Sequence, residues 1–542
     1  MTAARGRPAP RAGSVSAILA LLLCAIAGCT KVGPDYQTPR APQEASWLEE
    51  GDAKVSTAVP LEADWWTVFD DPILDKLIRL AYAQNLTLQT AGLRVLEARA
   101  RLGIAIGDQY PQTQEVGADL NYNRVSRNAA NEAGANQHFA SADVGFGASW
   151  EIDFWGRFQR GIESADAQLG ANVANYDDVL VSLTADVAST YVLMRQAEEL
   201  AAVAENNIEI QRKSMDLAKT RFHDGVTTEL DVFQAVSLLN STQADLPQFN
   251  IDRRQAKNAL AVLLGTTPDK LEAVVAQTGK IPSAPTEVAI GIPAELLRRR
   301  PDIRQAELQA AAQSARIGIA VADLYPRFSL NGFIEFETSD GGGSESNNAG
   351  FGDLFASDSL AAFVGPSLRL PIFNYGRLTN NVRAADARFQ QTVTEYQNTV
   401  LEAYREVEDA VYAFTRYQTQ AGFLDQSVEA QKKSVDLSLE QYREGVTDYQ
   451  RVLDAQTNLF DLENQWVESR TAITQNLIAT YRALGGGWQT GKPRQFVPEE
   501  TIEVMRARTD WGDLLPPKGL DPAPQSGTEA AEADFLFKRP YW

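Results

Sequence analysis

The stretch Val144-Gly-Phe-Gly-Ala-Ser-Trp-Glu-Ile152 decides the fold. Its apolar residues stand at every second position, and glycine, serine and glutamate stand between them. Because successive side chains of a strand point to opposite faces, this alternation predicts a strand with one apolar and one polar face. Three further stretches alternate in a similar way, at 112–125, 327–338 and 360–372. The chain is therefore expected to contribute four strands to a two-faced sheet.

The predicted strands have about the ten residues that a tilted strand needs to cross a bilayer. An aromatic residue lies at one end of each strand, and the four are Tyr110, Trp155, Tyr325 and Tyr375. Hairpin geometry gathers these side chains at one rim, as in the aromatic girdle of an outer-membrane barrel. A soluble antiparallel sheet that packs on helices would show the same alternation, so the strands alone leave that alternative open.

The two halves of the chain repeat each other. Phe154-Trp-Gly-Arg157 returns as Asn374-Tyr-Gly-Arg377, and Gly225-Val-Thr227 returns as Gly445-Val-Thr447, both displaced by 220 residues. One structural unit is therefore used twice. Each unit is expected to consist of a helix, two strands and a long pair of helices.

Two proline-free stretches, 157–222 and 377–444, have apolar residues at helical spacing among Ala, Gln, Glu and Lys. Each predicted helix is roughly 100 Å long at 1.5 Å per residue, so it is an extended rod rather than part of a compact core. Each rod ends at a glycine suited to a left-handed helix end, and a threonine follows as the predicted N-cap of the returning helix. These pairs are Gly225 with Thr227 and Gly445 with Thr447. Rods alone would also fit a simple coiled coil.

The N-terminus resembles an export signal. Three arginines precede an apolar run at 15–27, which has the length of a secretory signal core and is too short for a transmembrane helix. The run ends in Ile26-Ala-Gly-Cys29, which resembles the lipobox of bacterial lipoproteins. We expect cleavage before Cys29 and attachment of diacylglycerol and a fatty acyl group to that residue. The only other cysteine, Cys24, lies in the discarded segment, so the mature chain keeps no thiol for a disulfide.

The composition argues against several functions. The 542 residues are 44% hydrophobic and 22% charged, which is enough apolar material for a sizeable core. The formal net charge of -21 argues against a nucleic-acid surface, which needs clustered Lys and Arg. Neither of the two histidines, His138 and His223, is placed like a general base or a metal ligand. We expect no enzyme, no metal site and no cofactor beyond the covalent lipid on Cys29.

The small number of strands in one chain predicts that several copies of the chain assemble. Four strands cannot close a barrel, because about eight are the practical minimum and an open strand edge is not tolerated in lipid. Two or more copies of the chain must therefore share one barrel. Three copies would supply twelve strands, although this reasoning sets only the lower limit.

Several motifs point to a known family. They are Cys29-Thr-Lys-Val-Gly-Pro-Asp-Tyr-Gln-Thr-Pro39, Trp65-Trp66, Asp70-Asp-Pro-Ile-Leu-Asp75, Leu297-Arg-Arg-Arg-Pro-Asp302, Gly445-Val-Thr447, Leu453-Asp-Ala-Gln456 and Ala483-Leu-Gly-Gly-Gly-Trp488. Together they resemble the TolC family of outer-membrane efflux proteins, and within it the lipoprotein branch of OprM and NodT. The resemblance spans residues 29–488.

The resemblance implies a mixed α and β fold and a homotrimer. Four strands per chain are expected to form a trimeric 12-stranded outer-membrane β-barrel, continued by a long periplasmic α-helical barrel. The implied partners are outer-membrane lipid, a periplasmic adaptor (membrane fusion) protein and an inner-membrane efflux pump of the RND type. The implied location is the bacterial outer membrane, where the chain is lipid-anchored with its tunnel in the periplasm.

The resemblance also implies a periplasmic gate. Asp454 matches the aspartate that narrows the tunnel tip, while Asp231 and Tyr442 match residues that hydrogen-bond between helices and hold the tip shut. The arginine that TolC has two residues after its tip glycine is Thr447 here, so that part of the latch is missing. The plainer alternative is that both aspartates are first-turn carboxylates favoured by the helix dipole. The tip turns that an adaptor would grip are Gly225-Val226 and Gly445-Val446.

These observations predict six segments and one function. The segments are a signal peptide (1–28), a lipidated segment (29–63), repeat 1 (64–265), a linker (266–299), repeat 2 (300–488) and a C-terminal tail (489–542). The expected function is a passive exit duct for small molecules such as drugs, solvents or metal ions, driven by the inner-membrane pump. The alternatives are a type I protein-secretion duct and an envelope structural lipoprotein without a pore.

Overall fold

A computed structural model describes most of the chain. The described residues are 31–42, 46–58, 63–126, 128, 137–275, 279–293, 299–340, 350–491 and 495–515. The expected signal peptide and Cys29 lie outside them, as does most of the expected C-terminal tail.

The described part of the chain is mainly helical. Its helices are α1 (Pro72–Gln84), α2 (Leu86–Gly107), α3 (Arg157–His223), α4 (Glu229–Leu263), α5 (Pro268–Glu272), α6 (Pro301–Ala322), α7 (Arg377–Arg443), α8 (Tyr449–Ala483) and α9 (Glu499–Arg508). Its strands are β1 (Val55–Ser56), β2 (Thr113–Arg124), β3 (His138–Ile152), β4 (Val288–Ala289), β5 (Arg327–Ser339) and β6 (Leu360–Arg369). Within these residues, none of the helices combines the length and the apolar character that a bilayer crossing demands.

The four predicted strands are confirmed. Strands β2, β3, β5 and β6 form one antiparallel sheet in that order. Their ends differ from the prediction by a few residues, since β3 begins at His138 rather than Val144 and β6 ends at Arg369. Within the described residues, each outer strand of this sheet, β2 and β6, pairs along one side only.

The long rods are also confirmed. Helices α3 and α7 have 67 residues each, and the returning helices α4 and α8 have 35 each. A 67-residue helix is about 100 Å long at 1.5 Å per residue. Both rods begin beside the sheet and carry the chain away from it. The turns at 224–228 and 444–448 therefore lie at the end of the molecule opposite the sheet, and we call them the tip turns.

The predicted N-caps are wrong. Helix α4 begins after Thr228 and α8 after Asp448, one residue beyond the threonines expected to cap them, Thr227 and Thr447. Neither observed N-cap residue makes a side-chain hydrogen bond to its helix. The Thr227 hydroxyl instead donates to the carboxylate of Asp231, so this threonine is used in a contact of the tip rather than as a cap.

The main hydrophobic core lies midway along the rods. It gathers α1, the middle parts of α3 and α7 and the C-terminal half of α8 around the adjacent buried residues Trp65 and Trp66. The Trp65 ring stacks on Tyr481 with centroids 5.3 Å apart. Gly487 fits here because a Cβ at that position would lie 2.9 Å from the Thr184 hydroxyl oxygen. This core holds the two repeats together at the middle of the molecule.

A buried ion-pair group lies beside the core. The Arg300 guanidinium pairs with Asp302 and Glu406, each at 2.7 Å, and donates to the Ala483 carbonyl at 2.8 Å. Asp178 of α3 faces this group, and burial together with Asp302 raises the pKa of its carboxyl to about 6. The Arg300 guanidinium therefore joins the start of α6 to α7 and to the end of α8.

The described residues 31–42 and 46–58, here called the N-terminal strap, run along the outside of the rods. The hydrogen bonds along this path are Val32 N to Trp155 O (3.1 Å), Tyr36 Oη to Glu307 O (3.2 Å), Gln397 Nε2 to Arg40 O (3.0 Å), Trp47 Nε1 to Gly291 O (3.1 Å) and Lys54 Nζ to Thr415 O (3.3 Å). The strap thus leads from the junction of sheet and rods down to the level of the core.

The strap is tightly fitted at its upper end. The buried Arg160 donates to the carbonyls of Val32 and Gly33, at 3.1 and 3.2 Å, and pairs with Asp35 at 2.9 Å. Gly33 has a φ of +88°, and a Cβ there would lie 2.4 Å from the Cα of Gly318 in α6. Only glycine fits this conformation and this close approach.

Candidate functional site

Each tip turn closes its rod with the same hydrogen-bond pattern. Gly225 and Gly445 have φ values of +72° and +76°. The N–H of Val226 donates to the Arg221 carbonyl and that of Val446 to the Gln441 carbonyl, both at 2.9 Å. These are Schellman motifs, in which the left-handed glycine lets the chain reverse while the last carbonyls stay bonded. Both valine side chains are left exposed at the end of the molecule.

A small aromatic cluster packs behind the tip turns. Its buried members are Ala218, Ala235, Tyr442, Tyr449 and Val452. The two tyrosine rings meet edge to face with centroids 5.2 Å apart. Burial raises the pKa of both phenols, that of Tyr449 to about 12, so both hydroxyls stay protonated at neutral pH. The Tyr449 hydroxyl hydrogen-bonds with that of Ser214 in α3 at 3.0 Å, which joins the two repeats.

The structure brings Asp231 and Tyr442 together. The Tyr442 hydroxyl donates to the Asp231 carboxylate at 3.1 Å, and the Thr227 hydroxyl donates to the same oxygen. Since Asp231 lies on α4 and Tyr442 on α7, this bond joins the hairpin of repeat 1 to that of repeat 2. The Arg221 guanidinium lies 4.8 Å from the centre of the Tyr442 ring and donates to the Arg443 carbonyl at 2.8 Å.

Asp454 lies apart from this bond. It is exposed on α8, one turn beyond Gln450, whose amide donates to its carboxylate at 2.7 Å. The Gln450 amide oxygen in turn accepts from Gln234 of α4 at 3.1 Å. Asp454 is thus linked to repeat 1 through two glutamine side chains while one of its faces remains open to solvent.

The motifs of the sequence did not identify four further tip residues, which are Arg221, Gln234, Gln450 and Tyr449. The internal repeat contained the signal, because each of these residues breaks it. At a displacement of 220, Arg221 corresponds to Gln441, Gln234 to Asp454, Gln450 to Leu230 and Tyr449 to Glu229. The expected gate residues break the repeat as well, since Asp231 corresponds to Arg451 and Tyr442 to Phe222. The tip is therefore a place where the repeats diverge.

At the other end of the molecule, the sheet has one apolar face. In the observed register, Val116, Phe146, Ile334 and Ala362 lie side by side in one row across β2, β3, β5 and β6. Two further rows of that face are apolar, namely Ala118, Val144, Phe336 and Leu360, and Trp150, Leu330 and Pro366. The row before Trp150 contains Gln114, Ala148, Gly332 and Val364. Such a face suits the hydrocarbon of a bilayer.

The opposite face of the sheet is mostly polar. Three carboxylates, Asp119, Asp143 and Glu337, lie directly opposite one another in one row. Serine, asparagine and glycine fill most other positions of this face. Carboxylates placed directly opposite each other repel, so this face requires water or cations in front of it.

Of the four aromatic residues expected at one rim of the sheet, only two contact each other. Trp155 and Tyr325 stack with centroids 4.5 Å apart, and the Trp155 indole donates to the Pro326 carbonyl at 2.8 Å. Tyr110 packs instead against a small core under the sheet, while Tyr375 is fully exposed. All four side chains lie at the end of the sheet that joins the rods.

The histidines and carboxylates of the described residues do not form a metal site. No group of three or more His, Cys, Asp and Glu side chains among them is arranged to hold a metal ion. His223 lies exposed beside the tip turn, and His138 is stacked on Tyr122 at the outer end of β3.

A two-faced sheet with an aromatic rim, continued by rods of about 100 Å, defines a channel chain of the bacterial outer membrane. The outer membrane efflux protein family matches residues 77–266 and 292–486, one stretch in each repeat. The chain belongs to this family, and the resemblance inferred from its motifs is confirmed.

Individual relatives agree with this assignment. The pyoverdine export outer membrane protein OpmQ of Pseudomonas putida is 32% identical over 453 residues, which cover 83% of this chain and 93% of that protein. The solvent efflux pump outer membrane protein SrpC of Pseudomonas putida is 31% identical over 487 residues, which cover 88% and 98%. The solved structure of the outer-membrane channel OprN matches with a TM-score of 0.78 at 32% identity and covers 84% of this chain and 99% of that chain.

Two expectations from the sequence are thereby confirmed. The fold is the mixed α and β fold of outer-membrane efflux channels, and the function is that of the outer-membrane channel of an efflux system. The proteins matched here are channels and efflux components rather than enzymes. The roles of the tip residues and the lipid on Cys29 stay predictions.

Replacing Tyr442 with phenylalanine removes one of the two hydroxyl donors of Asp231 while the ring stays in the cluster. A hydrogen bond to a charged group contributes about 1.5 kcal/mol or more, so local opening of the tip is expected to become about tenfold more frequent. Hydrogen exchange of the amides around 224–231 measures this directly. Tyr481→Phe, at the distant central core, serves as the control and should leave exchange at the tip unchanged; equal exchange in both variants would rule out a latch.

Proposed function

We propose that three copies of this chain close a single barrel and form a passive exit duct through the outer membrane. One observation carries the proposal: the sheet is apolar across all four strands on one face, yet its outer strands β2 and β6 pair along one side only within the described residues. Hydrocarbon supplies no hydrogen bonds to an open strand edge, so β6 of one copy must pair with β2 of the next. Three copies give twelve strands, above the practical minimum of about eight.

We propose further that Cys29 anchors the chain by its attached lipid. The N–H of Val32 donates to the Trp155 carbonyl at the aromatic rim, and Lys31 pairs with Glu163 close by. Cys29 precedes Lys31 by two residues, and two residues of extended chain span at most about 7 Å, so a lipid on Cys29 can reach this rim. The rim is where a membrane surface meets the sheet, which is the height that acyl chains on Cys29 require.

At the tip, we propose that the Asp231–Tyr442 bond and a ring of Asp454 carboxylates keep the duct closed. A threefold axis would place three copies of Asp454 around one opening, where they would repel one another and attract cations. The exposed Val226 and Val446, presented by the turns at Gly225 and Gly445, form the proposed docking surface for a periplasmic adaptor. Adaptor binding there would reach the turns without first displacing the buried tyrosine cluster.

The driving force would come from outside the chain. SrpC is named as the outer membrane protein of a solvent efflux pump. We propose an analogous inner-membrane pump of the RND type for this chain, joined to it through the adaptor. The chain itself is proposed to catalyse no reaction and to carry no cofactor beyond its lipid.

The trimer and the pore can be tested together on purified mature protein. We expect oligomers of three chains that resist SDS until heated, and single-channel conductance in a planar bilayer, because only a closed barrel satisfies the strand edges in lipid. Native mass spectrometry measures the number of chains in the oligomer, and current recordings measure the conductance. A dispersed monomer that carries no current would contradict the duct and favour the alternative of an envelope structural lipoprotein without a pore.

The lipid anchor predicts a difference between the two cysteines. Cys29→Ser should abolish incorporation of labelled palmitate, because position 29 supplies both the thiol and the new N-terminus for acylation. Cys24→Ser is the matched control and should keep the label, since position 24 lies in the segment that is removed. If the Cys29 variant still incorporated labelled palmitate, the lipid would be attached to another residue and the proposed anchor would be wrong.

The proposed gate predicts that the charge of Asp454 affects conductance and cation block. Asp454→Asn should raise the conductance about twofold or more and weaken block by multivalent cations, because it removes one carboxylate per copy from the narrowest ring. Asp461→Asn, two helical turns further along α8, removes the same charge away from the tip and is the control. If the two variants behaved alike in conductance and in cation block, Asp454 would have no special place in the gate.

A further inference from the structure

The polar face of the sheet contains an aromatic pair at mid-height. Phe333 of β5 and Phe363 of β6 lie directly opposite each other, with ring centroids 5.7 Å apart and ring planes inclined by 30°. They share this face with the acidic row and with serine, asparagine and glycine. The other phenylalanine of this face, Phe139, lies near the outer end of β3. The pair is therefore an isolated apolar feature on a polar wall.

This pair is not part of a packed core. Phe333 is 39% exposed and Phe363 is 53% exposed, although both lie in the middle of their strands. Phe146, Phe328 and Phe336 all lie on the apolar face instead. Exposing two large rings to water on the polar face has a free-energy cost and brings the sheet no packing in return.

Glycines keep the rings accessible. Gly147 is the neighbour of Phe333 in its row, on the side away from Phe363. The Phe363 ring lies over Gly365, where an added Cβ would be 2.7 Å from the ring. Neither glycine has a side chain that could cover the pair, so both rings remain accessible from the polar side.

Carboxylates surround the pair. Glu115 lies in the same row, beyond Gly147, and Glu335 lies two residues along β5 on the same face. The row of Asp119, Asp143 and Glu337 follows further out. Within the described residues none of these five carboxylates has a cationic partner. The arginines of this face, Arg327 and Arg369, stand six residues away at the end next to the rods, roughly 20 Å along the strands.

We propose that Phe333 and Phe363, together with Glu115 and Glu335, form a binding patch for organic cations that carry aromatic or bulky apolar groups. Aromatic faces attract cations through the ring quadrupole, and the rings also remove the apolar part of such a molecule from water. The carboxylates supply the complementary charge and disfavour anions of the same shape. The inference rests on the proposed function, because the polar face lines the channel only if the barrel closes.

The patch would act on cargo in transit rather than as a tight site. A cation over exposed rings gains only a small free energy, which allows rapid release. Three copies around the axis would line one level of the wall with six rings. Amphipathic cations would therefore be concentrated along the wall, while neutral and anionic molecules would pass through the middle of the channel.

Ions of matched shape and opposite charge test this patch. Tetraphenylphosphonium is expected to reduce the single-channel current of the trimer at low salt, and tetraphenylborate is expected to leave it unchanged. The double variant Phe333→Ala with Phe363→Ala should weaken tetraphenylphosphonium block about threefold or more. Glu115→Gln with Glu335→Gln should weaken it as well, with a smaller dependence on salt.

The control removes similar volume from the other face of the same strands. Ile334 and Val364 are each one residue from the pair and point to the apolar side, so Ile334→Ala with Val364→Ala should keep wild-type block. The patch would be refuted if tetraphenylphosphonium blocked the aromatic variant and this control equally. It would also be refuted if tetraphenylborate blocked the channel as strongly as tetraphenylphosphonium. In both cases the conductance would still support the duct. A protein without conductance would instead refute the proposed function.

Labelling tests whether the rings are covered in the assembled protein. Phe333→Cys provides a unique free thiol once Cys29 is acylated, because the mature chain has no other cysteine. A membrane-impermeant maleimide is expected to label this position in the trimer. A trimer that conducts but resists labelling at 333 would mean that another segment of the assembly occupies the patch, which overturns the proposal.

Discussion

Every backbone N–H and C=O group that faces hydrocarbon must find its hydrogen bond within the protein, because lipid offers none. The sheet of this chain meets that demand for its two inner strands and leaves it open along β2 and β6. The remaining architecture follows from this constraint. Completing the wall requires further copies around an axis, and an axis turns single side chains such as Asp454 into rings. A modest chain can thereby build both a wide barrel and a narrow closure.

The two repeats share the length and the end geometry of their rods, but their side chains differ at the tip. The rods of the two repeats have equal lengths and equal left-handed ends, since length and turn geometry must agree if the helices are to lie side by side. The side chains at the tip need not agree. Tyr442 and Asp231 have different residues at their counterpart positions, Phe222 and Arg451, so the hydrogen bond between them joins one repeat to the other and occurs once.

Much of the fold could be predicted because its signals are local and periodic. Alternation gave the strands, uninterrupted helical spacing gave the rods, and Gly225 and Gly445 marked the turns. The cap positions failed because the turn needed one more residue than the Gly-Val-Thr motif suggested, and Thr227 had a competing partner in Asp231. The contacts of Arg221 and Gln234 could not be predicted, since they depend on the register of one hairpin against the other. The clustering of the aromatic rim failed for a similar reason, because packing under the sheet draws Tyr110 away.

The distribution of apolar contacts favours the tip as the place of the proposed closure. The extensive core around Trp65 and Trp66 fixes the rods at their middle, and the strap and Arg300 reinforce that level. Beyond it, the described helices share only small clusters, the last of which is built around Tyr442 and Tyr449. Segments with few buried apolar contacts open at low free-energy cost, so the tip can separate while the core stays intact. Hydrogen bonds such as that between Tyr442 and Asp231 suit this position, because they hold one geometry strongly and lose most of their energy after a small displacement. A larger apolar cluster at the tip would hold the helices together more firmly, but it would also raise the free energy needed to separate them.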